Sequence, residues 1–197
     1  MSTLATKTEK GPIILVGSII LFICSFFMPF VIVYLIQDTL IHFKSPWFYV
    51  TPPAAYITFM IGMAWIPTVM IVYLILNYKY EFKYLKVTSL FLAALCIPVF
   101  MYATAHYYYF DDKGLHYNHL ESFNKISDYD WASMKEVNVI YGKQNTTYLM
   151  EYKFITKDDF ELIIPYEGDF KNNEARILQK LKANNVKITD NYADQYE

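Results

Sequence analysis

The sequence predicts a membrane protein with three transmembrane α-helices followed by a small α+β domain. Three observations predict it. Long uncharged apolar runs fill the first half of the chain, at 11–37, 45–78 and 87–110. Charge is concentrated in the second half: of 17 Lys and Arg and 19 Asp and Glu, only six and three precede Tyr107. After Phe110 the apolar spacing changes from helical to alternating. Overall, 55% of the 197 residues are hydrophobic and 18% charged, whereas about a quarter of an average soluble protein is charged.

The first run holds 27 uncharged residues, and a helix needs about 20 to cross the hydrocarbon core. Pro12 stands where a first turn tolerates it. Lys7 and Lys10 precede the run as they would in a signal peptide, but its length and the missing small-residue cleavage site predict an uncleaved anchor. The second run divides. Its opening, SPWFYVTPP, carries three prolines and three aromatics and reads as a loop with aromatic anchors at headgroup level; the remainder is the second helix. A short connection with Lys79, Lys83 and Lys86 leads into the third. The reading is a three-helix anchor at 1–106, with helices at about 12–36, 54–77 and 87–106. A soluble domain at 107–189 and a polar tail at 190–197 follow.

Each helix contains a proline: Pro29, Pro67 and Pro98. Such residues either kink a helix statically or open its backbone toward an ion or substrate. The absence of charge within the spans favours the static kink, because transport paths display ionisable groups. His106 lies at the end of the third helix, beside an aromatic, wet interface. Cys24 and Cys96 lie in apolar runs and read as small hydrophobes.

In the second half, Asp111, Asp112, Lys113 and Gly114 form a hairpin turn in which Gly114 is expected to take a positive φ. Val137, Val139 and Tyr141 alternate with Glu136 and Asn138. Tyr148, Met150, Tyr152 and Phe154 are expected to share one face of the next strand. From 169 to 184 a helical stripe of Phe170, Ile177, Leu178 and Leu181 predicts a closing amphipathic helix, with Asp169 as N-cap and Asn184 and Asn185 as the stop. The predicted core of the domain is Trp131, Leu178, Leu181 and Tyr152.

This half resembles the bacterial pleckstrin-homology-like domains attached to transmembrane helices in small bacterial membrane proteins. The resemblance rests on the opening strand YYYFDDKGLHY, on SDYDWASMKEVNV with Tyr129 and Trp131, on the strands flanking the turn at 157–159, and on the closing helix with Leu178 and Leu181. It covers about 80 residues of the chain. It implies a bent antiparallel sheet capped by one helix, and binding or scaffolding rather than catalysis. Fold alone fixes no ligand.

Residues 107–197 carry eleven basic and sixteen acidic side chains, a formal net charge of −5. That balance argues against nucleic acid and against anionic lipid headgroups as ligands. The loops YFDDKGL, YGKQNTTY and ITKDDFE lack the Lys and Arg cluster that a phosphorylated headgroup requires. His116 and His119 stand three apart, on opposite faces of a strand, and so do not make a metal pair. Asp158, Asp159 and Glu161 read as turn residues, and Asn145 opens a short glycosylation-type triplet. No catalytic, cofactor or metal signature is present in the sequence.

Three function classes are compatible with these readings. One is a non-enzymatic membrane protein that presents an interaction domain to a protein partner, as an accessory, regulatory or scaffold subunit. A second is a toxin or bacteriocin immunity protein that sequesters an effector at the membrane. The third is a small transporter or membrane enzyme. The compartment predicted is a bacterial cytoplasmic membrane. Lys7, Lys10, Lys79, Lys83 and Lys86, set against Lys44, His42 and Lys113 on the alternate side, predict a cytoplasmic N-terminus and an extracytoplasmic C-terminal domain.

Overall fold

The computed structural model describes residues 2–41, 46–80, 83–120, 125–143 and 147–193, with side chains from residue 11 onward except at 143. Its elements run α1 (Ser2–Ile41), β1 (Phe48–Val50), α2 (Pro53–Lys79), α3 (Leu85–Ala94), α4 (Cys96–Ala105), β2 (Tyr107–Phe110), β3 (Gly114–Asn118), β4 (Ile126–Asp130), a 3₁₀ turn (Trp131–Ser133), β5 (Met134–Lys143), β6 (Thr147–Thr156), β7 (Glu161–Pro165), α5 (Gly168–Ala183) and β8 (Lys187–Asp190). They divide into two compact units. The helices α1 to α4 and the segment Asn118–Lys125 make one; Lys44–Val50, Tyr108–Tyr117 and Ile126–Glu197 make the other.

In the helical unit, Gly11–Ile41, Pro53–Lys79 and Leu85–Ala105 are long and apolar enough to cross a membrane. Small residues let the helices approach. Ala55 and Ala103 are fully buried, and a Cβ on Gly62 would fall 2.7 Å from the Phe100 ring. Close backbone approach of this kind is a principal source of helix association in lipid. Pro29 and Pro67 sit inside continuous helices. The third span differs from the single helix expected, because it breaks at Leu95 into α3 and α4. Pro98 offers no N–H to the Ala94 carbonyl and its ring crowds that carbonyl. Beside the break, the Trp65 indole of α2 donates to the Leu92 carbonyl at 2.8 Å. Near the end of α1, Gln37 is fully buried. Its amide donates to the carbonyls of Thr104 (3.2 Å) and His106 (3.0 Å), which α4 cannot satisfy itself, and it accepts from the Thr51 hydroxyl.

The second unit holds two four-stranded sheets, ordered β1-β2-β3-β4 and β7-β6-β5-β8. Their inner faces and α5 share one core, which contains Phe110, Trp131, Val137, Phe154, Ile164, Phe170, Ile177 and Leu181. Four features depart from the expectations. The loop SPWFYVTPP supplies a strand: Phe48, Tyr49 and Val50 pair antiparallel with Phe110, Tyr109 and Tyr108. Phe48–Val50 is therefore a strand of the sheet-rich unit rather than part of a loop. After α5 the chain does not run straight into a tail, because β8 adds parallel to β5. The Asn191 side chain then accepts from the Tyr141 N–H (2.7 Å) and donates to its carbonyl (3.3 Å).

The third departure is a bulge. Ile140 pairs with Glu151 but Tyr141 with Leu149, so β6 carries an extra residue at Met150. A bulge reverses which side chains face inward. Tyr152 and Phe154 are buried and Leu149 packs on the core, whereas Tyr148 and Met150 turn out to 43% and 42% exposure. Fourth, α5 begins at Gly168 with Glu167 as N-cap, and Asp169 lies in its first turn. Asn185 takes φ 56° just past its end, the left-handed conformation usual at a helix C-terminus.

Candidate interaction surface

Trp131, Leu181 and Tyr152 lie inside the sheet-rich unit, and Leu178 packs against its core at partial exposure. Trp131 stacks between Trp47 (5.8 Å) and Phe110 (5.9 Å), and its indole N–H donates to the Asp111 carbonyl at 3.2 Å. The Arg176 guanidinium covers Trp47 at 4.0 Å. Tyr152 donates to Glu174, which also accepts from Tyr166 at 2.8 Å. This ties α5 to the sheet, and burial together with the Glu174 carboxylate pushes the Tyr152 hydroxyl up from its ordinary value. These residues hold the fold and are not presented to a partner. Trp131→Ala is expected to destabilise the unit by about 3–5 kcal/mol, read as a lower denaturation midpoint; an unchanged midpoint would place the indole outside the core.

Three titratable groups meet beside the β2–β3 turn. His116, 7% exposed, sits between two carboxylates: its Nδ1 is 2.5 Å from Asp128 and its Nε2 3.0 Å from Asp111, the latter outside hydrogen-bond geometry. Tyr109 stacks on the ring at 4.5 Å. Each ring nitrogen of His116 thus faces a carboxylate. His119 falls in the other unit. The described residues contain no group of three or more His, Cys, Asp or Glu that could hold a metal ion. Asp159 pairs with Lys135 at 2.6 Å and Glu161 with Lys153 at 2.7 Å, so the acids around the β6–β7 turn point to separate lysines. Asn145 lies outside the described residues.

Asp111 organises the β2–β3 turn. Burial raises its carboxyl, but the adjacent His116 imidazole and bonds from the Lys113 (2.7 Å) and Gly114 (3.1 Å) amides outweigh that and hold it below the usual carboxylate value. A depressed folded-state value contributes stability above the unfolded value of about 3.9, and that stability is lost as pH falls through the folded value. Asp111→Asn is expected to lower the melting temperature at pH 7, with the gap to wild type closing below about pH 4. A gap that stays constant with pH would contradict this.

What the unit does present is the outer face of β5, β6 and β7. Phe170, Ile177 and Leu181 of α5 join the core on the inner face, and the exposed apolar residues of these strands lie on the outer one. Ile163 is 52% exposed there, in line with exposed Pro165. Tyr148 and Met150 join this face through the bulge and flank Gly142, each 3.3 Å from where its Cβ would stand. Half-buried Ile140 and Ile155 lie on the same face, interleaved with polar residues: Ile140 is opposite Glu151, Lys153 stands between Asn138 and Ile163, and Ile155 stands between Glu136 and Glu161. Such a face mixes exposed apolar side chains with charged ones, as non-obligate protein interfaces do. Sequence alternation alone placed Tyr148 and Met150 in the core, and only the bulge releases them. For β1 a signal existed: Phe48, Tyr49 and Val50 are strong strand formers held between prolines.

Together these features define a coarse class: three helices apolar enough to span a membrane, joined to a sheet-rich domain. No protein-family model, curated protein or solved structure matches the chain.

Proposed function

We propose that this is a non-enzymatic integral membrane protein that presents a pleckstrin-homology-like domain to a protein partner, as an accessory, regulatory or scaffold subunit. The observation that carries the reading is the outer face of β5–β7, where Tyr148, Met150 and Ile163 stand exposed at 42–52%. The net charge of −5 over 107–197 favours a protein over an anionic lipid surface as the bound object. The domain faces the extracytoplasmic side of a bacterial cytoplasmic membrane. Five lysines flank the cytoplasmic ends. A second support is the chain path: Lys44–Val50 and Tyr108–Tyr117 share one folded unit although α2, α3 and α4 intervene. Two crossings between those segments return the chain to the side on which it began.

The test is purification from native membranes of the full chain and of a Tyr148→Asp/Ile163→Asp variant. Wild type is expected to migrate as a complex in a mild detergent, and the variant as the free protein with an unchanged melting curve. A wild-type protein that runs free, or a variant that keeps its partner, contradicts the reading.

A further inference from the structure

The strand β7 ends the second sheet. Among the described strands it pairs only with β6, and the direction of its backbone groups can be worked out. Phe160 accepts from the Thr156 N–H at 3.0 Å and the Tyr166 N–H donates to Met150 at 2.9 Å, so both point toward β6. Backbone direction alternates along an antiparallel strand. Leu162 and Ile164 therefore also bond to β6, and Glu161, Ile163 and Pro165 direct their groups outward. Pro165 has no N–H at that position, which is where an edge strand tolerates proline, and its carbonyl already accepts from Glu167 at 3.0 Å. The free edge thus offers the N–H and C=O of Glu161 and Ile163, with the exposed Ile163 side chain beside them.

The other edges are less open. β8 is four residues long, with Lys187 and Asp190 at its ends and Thr189 bonded to Glu136 and Asn138. β4 shows no exposed large apolar residue, and β1 has three residues. Charge narrows what β7 can receive. Between 157 and 171 stand five acids (Asp158, Asp159, Glu161, Glu167 and Asp169) against Lys157 and Lys171; Asp159 and Glu161 are held by Lys135 and Lys153, and Asp158, Glu167 and Asp169 stand at the two ends of the edge. A second copy pairing edge to edge would bring two such segments together, and like charges across a ladder are destabilising.

We propose that the free edge of β7 takes an extended basic segment of a partner protein, which adds to the sheet as a further strand next to Ile163. Backbone bonds to Glu161 and Ile163 would supply the ladder, and lysines or arginines of the segment would face the acids at its two ends. This rests on the interaction-domain reading and names the kind of partner that domain holds.

The test uses the full chain in non-ionic micelles with two synthetic octapeptide amides, one alternating lysine and valine, the other glutamate and valine. The lysine peptide is expected to bind saturably and to slow hydrogen exchange at the Glu161 and Ile163 amides. Asp158→Lys, an exposed change, is expected to weaken it about threefold or more. Ile163→Pro, which deletes an outward donor while leaving the β6 ladder in place, is expected to abolish the protection. Equal binding of the glutamate peptide, protection elsewhere in the domain, or a dimer formed through β7 would overturn the proposal. If a partner from native membranes depends on Tyr148 and Ile163 while the lysine peptide leaves β7 unprotected, the edge proposal falls and the proposed function stands. If neither is seen, both fall.

Discussion

Gly114→Ala is expected to destabilise the sheet-rich unit by about 3 kcal/mol or more. A Cβ at this position would stand 2.1 Å from the Tyr129 carbonyl oxygen and 2.9 Å from the Asp130 Cα. Both are backbone atoms of β4, so no side chain can rotate away, and β3 and β4 would have to separate. The same turn carries the Asp111 bonds to the Lys113 and Gly114 amides and the Lys113 carbonyl that accepts from the Trp131 N–H at 3.1 Å. Opening it would also loosen the seat of Trp131. A denaturant midpoint near that of wild type would show that the strands separate freely here, and would remove the reason for glycine at 114.

Phe48→Ala should cost about 3–5 kcal/mol, although residue 48 is separated from the rest of its unit by α2, α3 and α4. Phe48 is 6% exposed and packs on Phe110 at 5.2 Å and Phe170 at 6.2 Å. Its neighbour Trp47 donates its backbone N–H to the Phe110 carbonyl at 2.8 Å and is sandwiched between Trp131 and Arg176. Losing the ring leaves a cavity between β2 and α5, read as a lower denaturant midpoint of the sheet-rich unit in the full chain. A headgroup-level loop would lose almost nothing by the same change, so the size of the effect separates the two accounts of this segment.

The contrast explains what the sequence makes legible. The apolar helices are visible because lipid demands long uncharged runs, and each run stands alone in the chain. The stripe of Phe170, Ile177 and Leu181 on α5 is visible for the same reason: a helix carries its own period. Pairing between distant segments leaves no such trace. Phe48–Val50 meets Tyr108–Phe110 across some sixty residues, and aromatics beside prolines suit an interface equally well. Lys187–Asp190 is four residues after a helix, and only its fit beside β5 makes it a strand. The bulge at Met150 depends on how many residues β5 sets opposite, so β6 read alone puts Tyr148 and Met150 on the wrong face. Gly114 lies in the expected turn, but Gly168 is the glycine described with positive φ. At 114 glycine answers to crowding by Tyr129, a contact that a local turn pattern cannot reveal.

The orientation of the sheet-rich domain bears most directly on the account, because a partner can be met only on the side where the domain stands. A single cysteine at Asp158, an exposed residue of the β6–β7 turn, in a Cys24→Ser/Cys96→Ser background can be probed in intact cells with a membrane-impermeant maleimide. The account predicts labelling of intact cells that does not increase on lysis. Labelling that appears only after lysis would put the domain in the cytoplasm and contradict it.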